Sequence, residues 1–255
     1  MNSLYSPYSI LRVGPLSIHI FTDGFCSIEE NIFNSIYFTD EEIREADTII
    51  DLGAHHGSFT IKSVVKSSPN STIIAIEPNL HAVKLLYNNL RALKWLIEMK
   101  RLSIKVLNRA IWESEGIVDL ELSWWSEGHH VSFKPRGSGV KVRAITLNDI
   151  IRFAKGKTIV KMDIEGAEYR VLKSADLRCV HMIAVEAHGD PNVIARILKR
   201  RGFETSIQHH EIKKDLSVAW LKIKPRGYGF LVATYRLMTS QMVKPTMIIV
   251  KGIRA

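Results

Sequence analysis

From residue 48 onward, apolar runs of about five residues alternate with longer stretches whose apolar positions recur every three to four residues, the mark of strands and helices taken in turn. Thr48-Ile49-Ile50-Asp51-Leu52 reads as a buried strand ended by Gly53, and residues 57–67 suit a helix. Residues 71–76 form a second strand, after which Pro78-Asn79 opens a helix with Val83, Leu86, Leu90 and Leu93 on one stripe. Residues 104–107 make a third strand, 117–122 a β excursion, and 147–154 a helix stopped near Gly156. Residues 158–162 and 182–186 are the fourth and fifth strands. Asp190-Pro191 then starts a helix that turns Ile194, Ile197 and Leu198 inward and is closed by Gly202, with Phe203 as the apolar contact beyond the cap. Segments 204–209, 217–223, 230–236 and 246–251 are β-like.

Ahead of this pattern, residues 10–21 read as a β-hairpin around Gly14-Pro15, and residues 40–46 as a short acidic helix. Strands separated by helices run parallel through right-handed crossovers, so the expected fold is α/β, a Rossmann-like, doubly wound and mostly parallel sheet. With no repeat and no Pro/Gly/Ser linker, the simplest division is a hairpin-and-helix extension over residues 1–47 and one domain over residues 48–255.

Composition narrows the classes. A chain 46% hydrophobic and 24% charged is neither disordered nor collagenous. Cys26 and Cys179 stand far apart without a CxxC partner, which excludes a zinc knuckle, a thioredoxin-type pair and a disulfide scaffold. The N-terminus lacks an uninterrupted apolar stretch of signal type, and no run approaches the roughly 18 to 20 apolar residues of a membrane span, so a cytoplasmic protein is the expectation. The net charge of +9 is uneven: residues 1–150 hold 15 Lys+Arg against 17 Asp+Glu, and residues 151–255 hold 20 against 9. A half carrying +11 points to an anionic partner such as RNA, a phosphorylated substrate or a membrane surface. Scattered charges equally fit a solvated basic face.

In an open wound sheet, ligands bind at the carboxyl ends of the strands. Those ends deliver Asp51-Leu52-Gly53-Ala54-His55-His56-Gly57, then Glu77-Pro78-Asn79, then Asp163-Ile164-Glu165-Gly166-Ala167-Glu168. Gly53 and Gly57 let the backbone turn sharply and approach a ligand closely. Glu77, 26 residues after Asp51, can accept hydrogen bonds from both hydroxyls of a ribose. A dinucleotide fingerprint would read GxGxxG over a helix N-terminus free to hold a pyrophosphate. Here the spacing is GxxxG with an acid two residues before it, which favours a ribose-bearing ligand with a cationic amino acid end and no phosphate. S-adenosylmethionine has that chemistry.

Residues 50–60, Ile76-Glu77-Pro78-Asn79 with Leu85 to Leu90, Asn108-Arg109-Ala110-Ile111-Trp112 ahead of Gly116, and Val160 to Glu168 with Val171-Leu172 together resemble the FkbM-type methyltransferases. These are a branch of the class I S-adenosylmethionine-dependent enzymes, and the likeness spans about residues 48–203. It implies a seven-stranded sheet. It also implies that Asp51, Gly53 and Gly57, with Ala54 and His55 in the same loop, surround the methionine part and sugar of the cofactor. Glu77 would bind the ribose with Pro78 and Asn79 beside it, Ala110 and Trp112 would border the adenine, and Asp163 would face the methyl group. His55-His56 replaces the Asn-Ile or similar pair more usual in the family.

The implied reaction is in-line attack of a nucleophile on a sulfonium methyl, and a hydroxyl acceptor must also lose a proton to a nearby base. Asp163, Glu165, Glu186 and His188 are the candidates. Asp163, Glu186 and His188 could instead form an oxygen-rich divalent metal site, but one His and scattered acids lack a specific ligand spacing, so metal-free base chemistry is favoured. Glu165 and Glu168 also suit a structural role, capping the following helix and pairing with Lys161 or Arg170. His129-His130, after Trp124-Trp125 and before Lys134-Pro135-Arg136-Gly137, sit in a long polar connection that could act as a lid, whereas His209-His210 read as surface residues.

The leading reading is methyl transfer to a hydroxyl oxygen of a glycan, lipid-linked or small-metabolite acceptor. The alternatives are a tRNA or rRNA methyltransferase using Lys199-Arg200-Arg201, Lys222, Lys224 and Arg226, and a non-catalytic scaffold that keeps the fold. Against base methylation, the fourth strand ends in Asp-Ile-Glu-Gly rather than Asn/Asp-Pro-Pro-Tyr/Phe.

Overall fold

The structure, a computed structural model, describes residues 8–13, 16–21, 25–33, 35–121, 130–132, 139–210 and 247–254. An antiparallel hairpin, β1 (Tyr8–Val13) and β2 (Leu16–Phe21), leads into α1 (Phe25–Ile28), a π-helical turn over Glu29–Phe33, and α2 (Asp40–Arg44). Then follow β3 (Thr48–Leu52), α3 (Ser58–Lys66), β4 (Thr72–Ile76), α4 (Leu80–Ala92), α5 (Lys94–Lys100) and β5 (Ser103–Leu107). β6 (Ala110–Ile111), β7 (Gly116–Glu121), β8 (His130–Ser132) and β9 (Val140–Ile145) precede α6 (Leu147–Ile151) and β10 (Thr158–Met162). The chain closes with α7 (Glu168–Ser174), β11 (Met182–Glu186), α8 (Pro191–Arg200), β12 (Glu204–His210) and β13 (Met247–Ile253).

The main sheet has seven strands in the order β12-β13-β11-β10-β3-β4-β5, and within it β13 runs antiparallel to both its neighbours. Both faces of such a sheet are covered, so its strands are apolar throughout yet still alternate. Ile49, Ile73 and Ile159 pack with Phe38, Phe59, Val64 and Leu86 on one side. Ile50, Ile74 and Val160 pack with Leu147, Val171, Ile194 and Leu198 on the other. The strand order reverses between β3 and β10, which opens the crevice where wound sheets bind ligands.

The predicted β excursion is one strand of a separate four-stranded sheet, β6-β9-β7-β8, whose other members the sequence reading missed. β6 and β8, two and three residues long, are too short to show a period, whereas β9 does alternate, Val140, Val142 and Ala144 against Lys141 and Arg143, and was passed over. The predicted helix at 147–154 stops at Ile151, although Thr146 and Asp149 form the capping box that starts it. The helix after Asn79 ends at Ala92, and α5 continues from Leu93 as a second, unexpected helix. Segments 217–223 and 230–236, Trp124, Trp125, His129, the 134–137 run, Lys222, Lys224 and Arg226 lie outside the described residues. No helix among the described residues is long and apolar enough to cross a membrane.

Candidate active site

Asp51 sits one residue before the end of β3, on the face that meets α3, and Lys161 is its cross-strand partner on β10. Thr60 Oγ1 of α3 donates to Asp51 Oδ2 at 2.6 Å, and Lys161 Nζ lies 3.5 Å from Asp51 Oδ1. Burial pushes the Asp51 carboxyl up while Lys161 and Thr60 oppose it. Asp51 is fully buried between Thr60 of α3 and Lys161 of β10.

After β3 the backbone turns through Gly53, His55 and Gly57, all at positive φ. Gly53 N–H and Ala54 N–H donate to the Ile76 carbonyl of β4, and Gly57 N–H to Ala54. A Cβ on Gly53 would stand 1.7 Å from the Asp163 carbonyl oxygen, and one on Gly57 would stand 2.3 Å from Leu86 Cδ1. The glycines thus allow the loop to pack against β10 and α4.

Glu77 follows β4 and is nearly buried. His55 N–H donates to its Oε2 at 2.8 Å and Asn79 N–H to its Oε1 at 2.7 Å. Burial pushes the carboxyl up to about 7 against those two donors. Asn108 Nδ2 donates to the carbonyls of Glu77 and Pro78, and Asn79 caps α4 through His81 N–H, so the Glu77-Pro78-Asn79 turn is pinned on both sides. Ala110 and Trp112 are buried in the second apolar cluster, and the Arg170 guanidinium lies 6.0 Å from the Trp112 ring.

Beyond β10 stands a cluster of charges. Asp163, with 23% of its side chain exposed, lies 3.4 Å from Lys161 Nζ, which also donates to the Gly53 carbonyl at 2.8 Å. Burial opposes ionisation of Asp163, but Lys161 and His188 outweigh it and hold the carboxyl below its ordinary value. Burial likewise opposes the Lys161 ammonium, and Asp163, Asp51 and Glu186 more than reverse it. His188 Nδ1 lies 3.0 Å from Glu168 Oε1 and its Nε2 lies 3.2 Å from Glu165 Oε2, with Glu186 Oε1 at 3.9 Å. Burial alone would lower His188, and this acidic surround pushes it up to about 12. Burial raises both Glu165 and Glu186. Glu165 itself adopts positive φ, a strain of about 1–3 kcal/mol that clusters at functional sites.

Glu168 does not cap its helix, which has no side-chain cap at Ala167; its Oε1 instead accepts from Ile164 N–H and Gly166 N–H in the loop that precedes α7. The cation beside Glu165 and Glu168 is His188, while Lys161 points to Asp51 and Asp163. Ligand atoms of Asp163, Glu186 and His188 fall within 4.8 Å of one another. Lys161, the Tyr37 hydroxyl and the two glutamates already serve those three groups.

The structure therefore brings Asp163, Glu165, Glu186 and His188 together and sets Asp51, Gly53, Ala54, His55, Gly57, Glu77, Pro78 and Asn79 around the adjoining β3 and β4 ends. Sequence reasoning missed Lys161 and Tyr37 as members of the group. A lysine inside an otherwise apolar strand, Thr-Ile-Val-Lys-Met, was the available signal, since a buried ammonium needs a carboxylate. Tyr37 carried no local signal.

A family model described as the methyltransferase FkbM domain matches residues 51–205. Among solved structures, the chain is similar to a precorrin-6y C5,15-methyltransferase from Geobacter metallireducens GS-15, with 13% identity and a TM-score of 0.43 over 85% of each chain. It is similar to an S-adenosylmethionine-dependent O-methyltransferase from Thermotoga maritima, with 12% identity and a TM-score of 0.42 over 90% of this chain and 71% of that one. It is also similar to TYW2 from M. jannaschii in complex with AdoMet, with 13% identity and a TM-score of 0.44 over 98% of this chain and 86% of that one. No curated protein matches the sequence.

Proposed function

The chain belongs to the FkbM methyltransferase family and is an S-adenosylmethionine-dependent methyltransferase, and on that premise we propose that it methylates a hydroxyl oxygen of a glycan, lipid-linked or other small acceptor. The observation that carries this reading is Asp163, an ionised, partly exposed carboxylate at the crevice, kept charged by Lys161. It is placed to accept the proton that a hydroxyl must lose. An oxygen already bonding to carbon is far more acidic than a free hydroxyl, so a carboxylate of low pKa is a sufficient base.

The residues fit the cofactor. Each Glu77 oxygen is oriented by one backbone N–H and keeps a lone pair for a ribose hydroxyl. The loop 53–57 would hold the methionine part, and the surplus of carboxylates over cations beside β10 suits a positive sulfur. Bound there, S-adenosylmethionine supplies an electrophilic methyl group for in-line displacement. Asp163 then takes the hydroxyl proton, Lys161 balances its charge until it does, and His188 holds Glu165 and Glu168 clear of the reacting oxygen. Metal-free base chemistry remains our reading, with Lys161 beside Asp163, the Tyr37 hydroxyl beside Glu186, and Glu165 and Glu168 beside His188.

RNA is the competing acceptor, suggested by the basic half. Two of its cations are spent inside the fold: Arg201 donates to the Ala175 and Lys173 carbonyls, and Arg254 to Leu177, Val180 and Arg201. Labelled methyl transfer into fractionated cell extract tests the choice. Label should enter a ribonuclease-resistant small or lipid-linked fraction, and Asp163→Asn should abolish transfer while still binding the cofactor in a calorimetric titration. Label in RNA would establish the competing acceptor, and absence of any binding heat would point to a scaffold.

A further inference from the structure

Tyr37 lies between the π-helical turn and α2, ahead of the stretch that matches the family model. It is 2% exposed, and its ring packs edge-on against Phe59 of α3 at 6.4 Å. Its hydroxyl oxygen lies 2.6 Å from Glu186 Oε2 and 3.3 Å from Asp163 Oδ2. One side chain from outside the strand-and-helix core thus bridges the carboxylates at the ends of two adjacent strands.

A tyrosine hydroxyl has one proton to give, so with both carboxylates ionised they would compete for it. From this geometry we propose that Glu186, Tyr37 and Asp163 form a proton chain: Glu186 stays protonated and donates to the Tyr37 oxygen, and Tyr37 donates its own proton to Asp163. Tyr37 is then a positioning residue that aims Asp163 and keeps it ionised, and Glu186 is the neutral end of the chain. The inference rests on the reading of Asp163 as proton acceptor. The charges facing Tyr37 agree with it. Asp163 and Lys161 face it from β10, Glu186 from β11 and Glu30 from the π-helical turn, while α3 contributes the uncharged Phe59. The His188 charge also acts on both carboxylates. Burial and Asp163 keep the Glu186 carboxyl well above its ordinary value.

The test is a pH titration of the full chain by NMR with carboxyl-labelled Asp and Glu, which needs no acceptor. In the wild type, Glu186 should be protonated at neutral pH and Asp163 ionised. Tyr37→Phe, which keeps the ring, should raise the Asp163 midpoint by about one unit through loss of its donor. Glu186→Gln should leave that midpoint unchanged, because one neutral donor replaces another. An ionised Glu186 at neutral pH, or a fall of the Asp163 midpoint in Glu186→Gln, would overturn the chain, and both outcomes are readable even if Tyr37→Phe does not fold. Failure of Asp163→Asn to affect methyl transfer would instead overturn the catalytic reading and leave the titration standing.

Discussion

Glu77 is held by two backbone N–H groups, and burial lifts its carboxyl to about 7, so its charge changes across the neutral range. The ionised form can accept from both ribose hydroxyls, whereas the protonated form spends one oxygen on its own proton. Cofactor affinity should therefore fall as pH drops below about 7, by at most about tenfold per unit. Calorimetric titrations between about pH 5.5 and 8.5 check this, and Glu77→Gln should flatten the dependence. Glu77→Ala should weaken binding by about 1–3 kcal/mol, the cost of stranded hydrogen bonds. At Gly53 the issue is space: a methyl group meets the Asp163 carbonyl at 1.7 Å in a left-handed conformation. Gly53→Ala should cost about 3 kcal/mol or more, seen as a lower denaturation midpoint. Asp51, Glu77 and Asp163 were legible as candidates because an acid at or near the end of an apolar run lies at the carboxyl end of a strand, where wound sheets bind ligands. Their partners Thr60, Lys161 and Tyr37 were not, because pairing depends on which strands and segments lie side by side.

Helix α4 shows how an element joins the hairpin to the site. Asn89, buried on its inner face, accepts from His19 N–H at 2.6 Å and donates to the carbonyls of His19 and His56. β2 is thereby tied to the glycine-containing loop, and Phe21 of β2 stacks on the His55 ring at 5.0 Å. Asn89→Ala should destabilise the protein by about 1–3 kcal/mol and should speed proteolysis within residues 8–21, measured by limited digestion and mass spectrometry. The caps of the main helices were legible from sequence. Asn79 and Asp190 accept backbone N–H bonds where they were expected to, and Gly202 closes α8 at φ +83°. Caps are local chemistry. The docking of the hairpin on α4 is not, since 70 residues separate His19 from Asn89.

At the scale of the whole molecule, His56 is a group that opposes acid. It is fully buried, its Nε2 lies 3.2 Å from Ser27 Oγ, and burial lowers its pKa from 6.5 to about 3. A group depressed in the folded state stabilises above its unfolded value and loses that contribution as pH falls. His56 should therefore withdraw stability between pH 6.5 and about 3, by at most about 1.4 kcal/mol per unit. Glu77 acts in the opposite sense, its contribution being complete below 4.5 and lost as pH rises through about 7. Urea midpoints measured from about pH 4.5 to 7.5 should decline less toward acid in His56→Gln than in the wild type.

The amino-acid order alone determined the wound α/β sheet, its strand ends and the acids they carry, because alternation, apolar periodicity and caps act over a few residues. Only the tertiary structure decided what those acids do for one another. It put Lys161 between Asp51 and Asp163, enclosed His188 between glutamates, and brought Tyr37 across 126 residues of chain to Asp163. The charge state of a buried carboxylate is set by neighbours and desolvation in three dimensions, and neither is a property of its position in the chain.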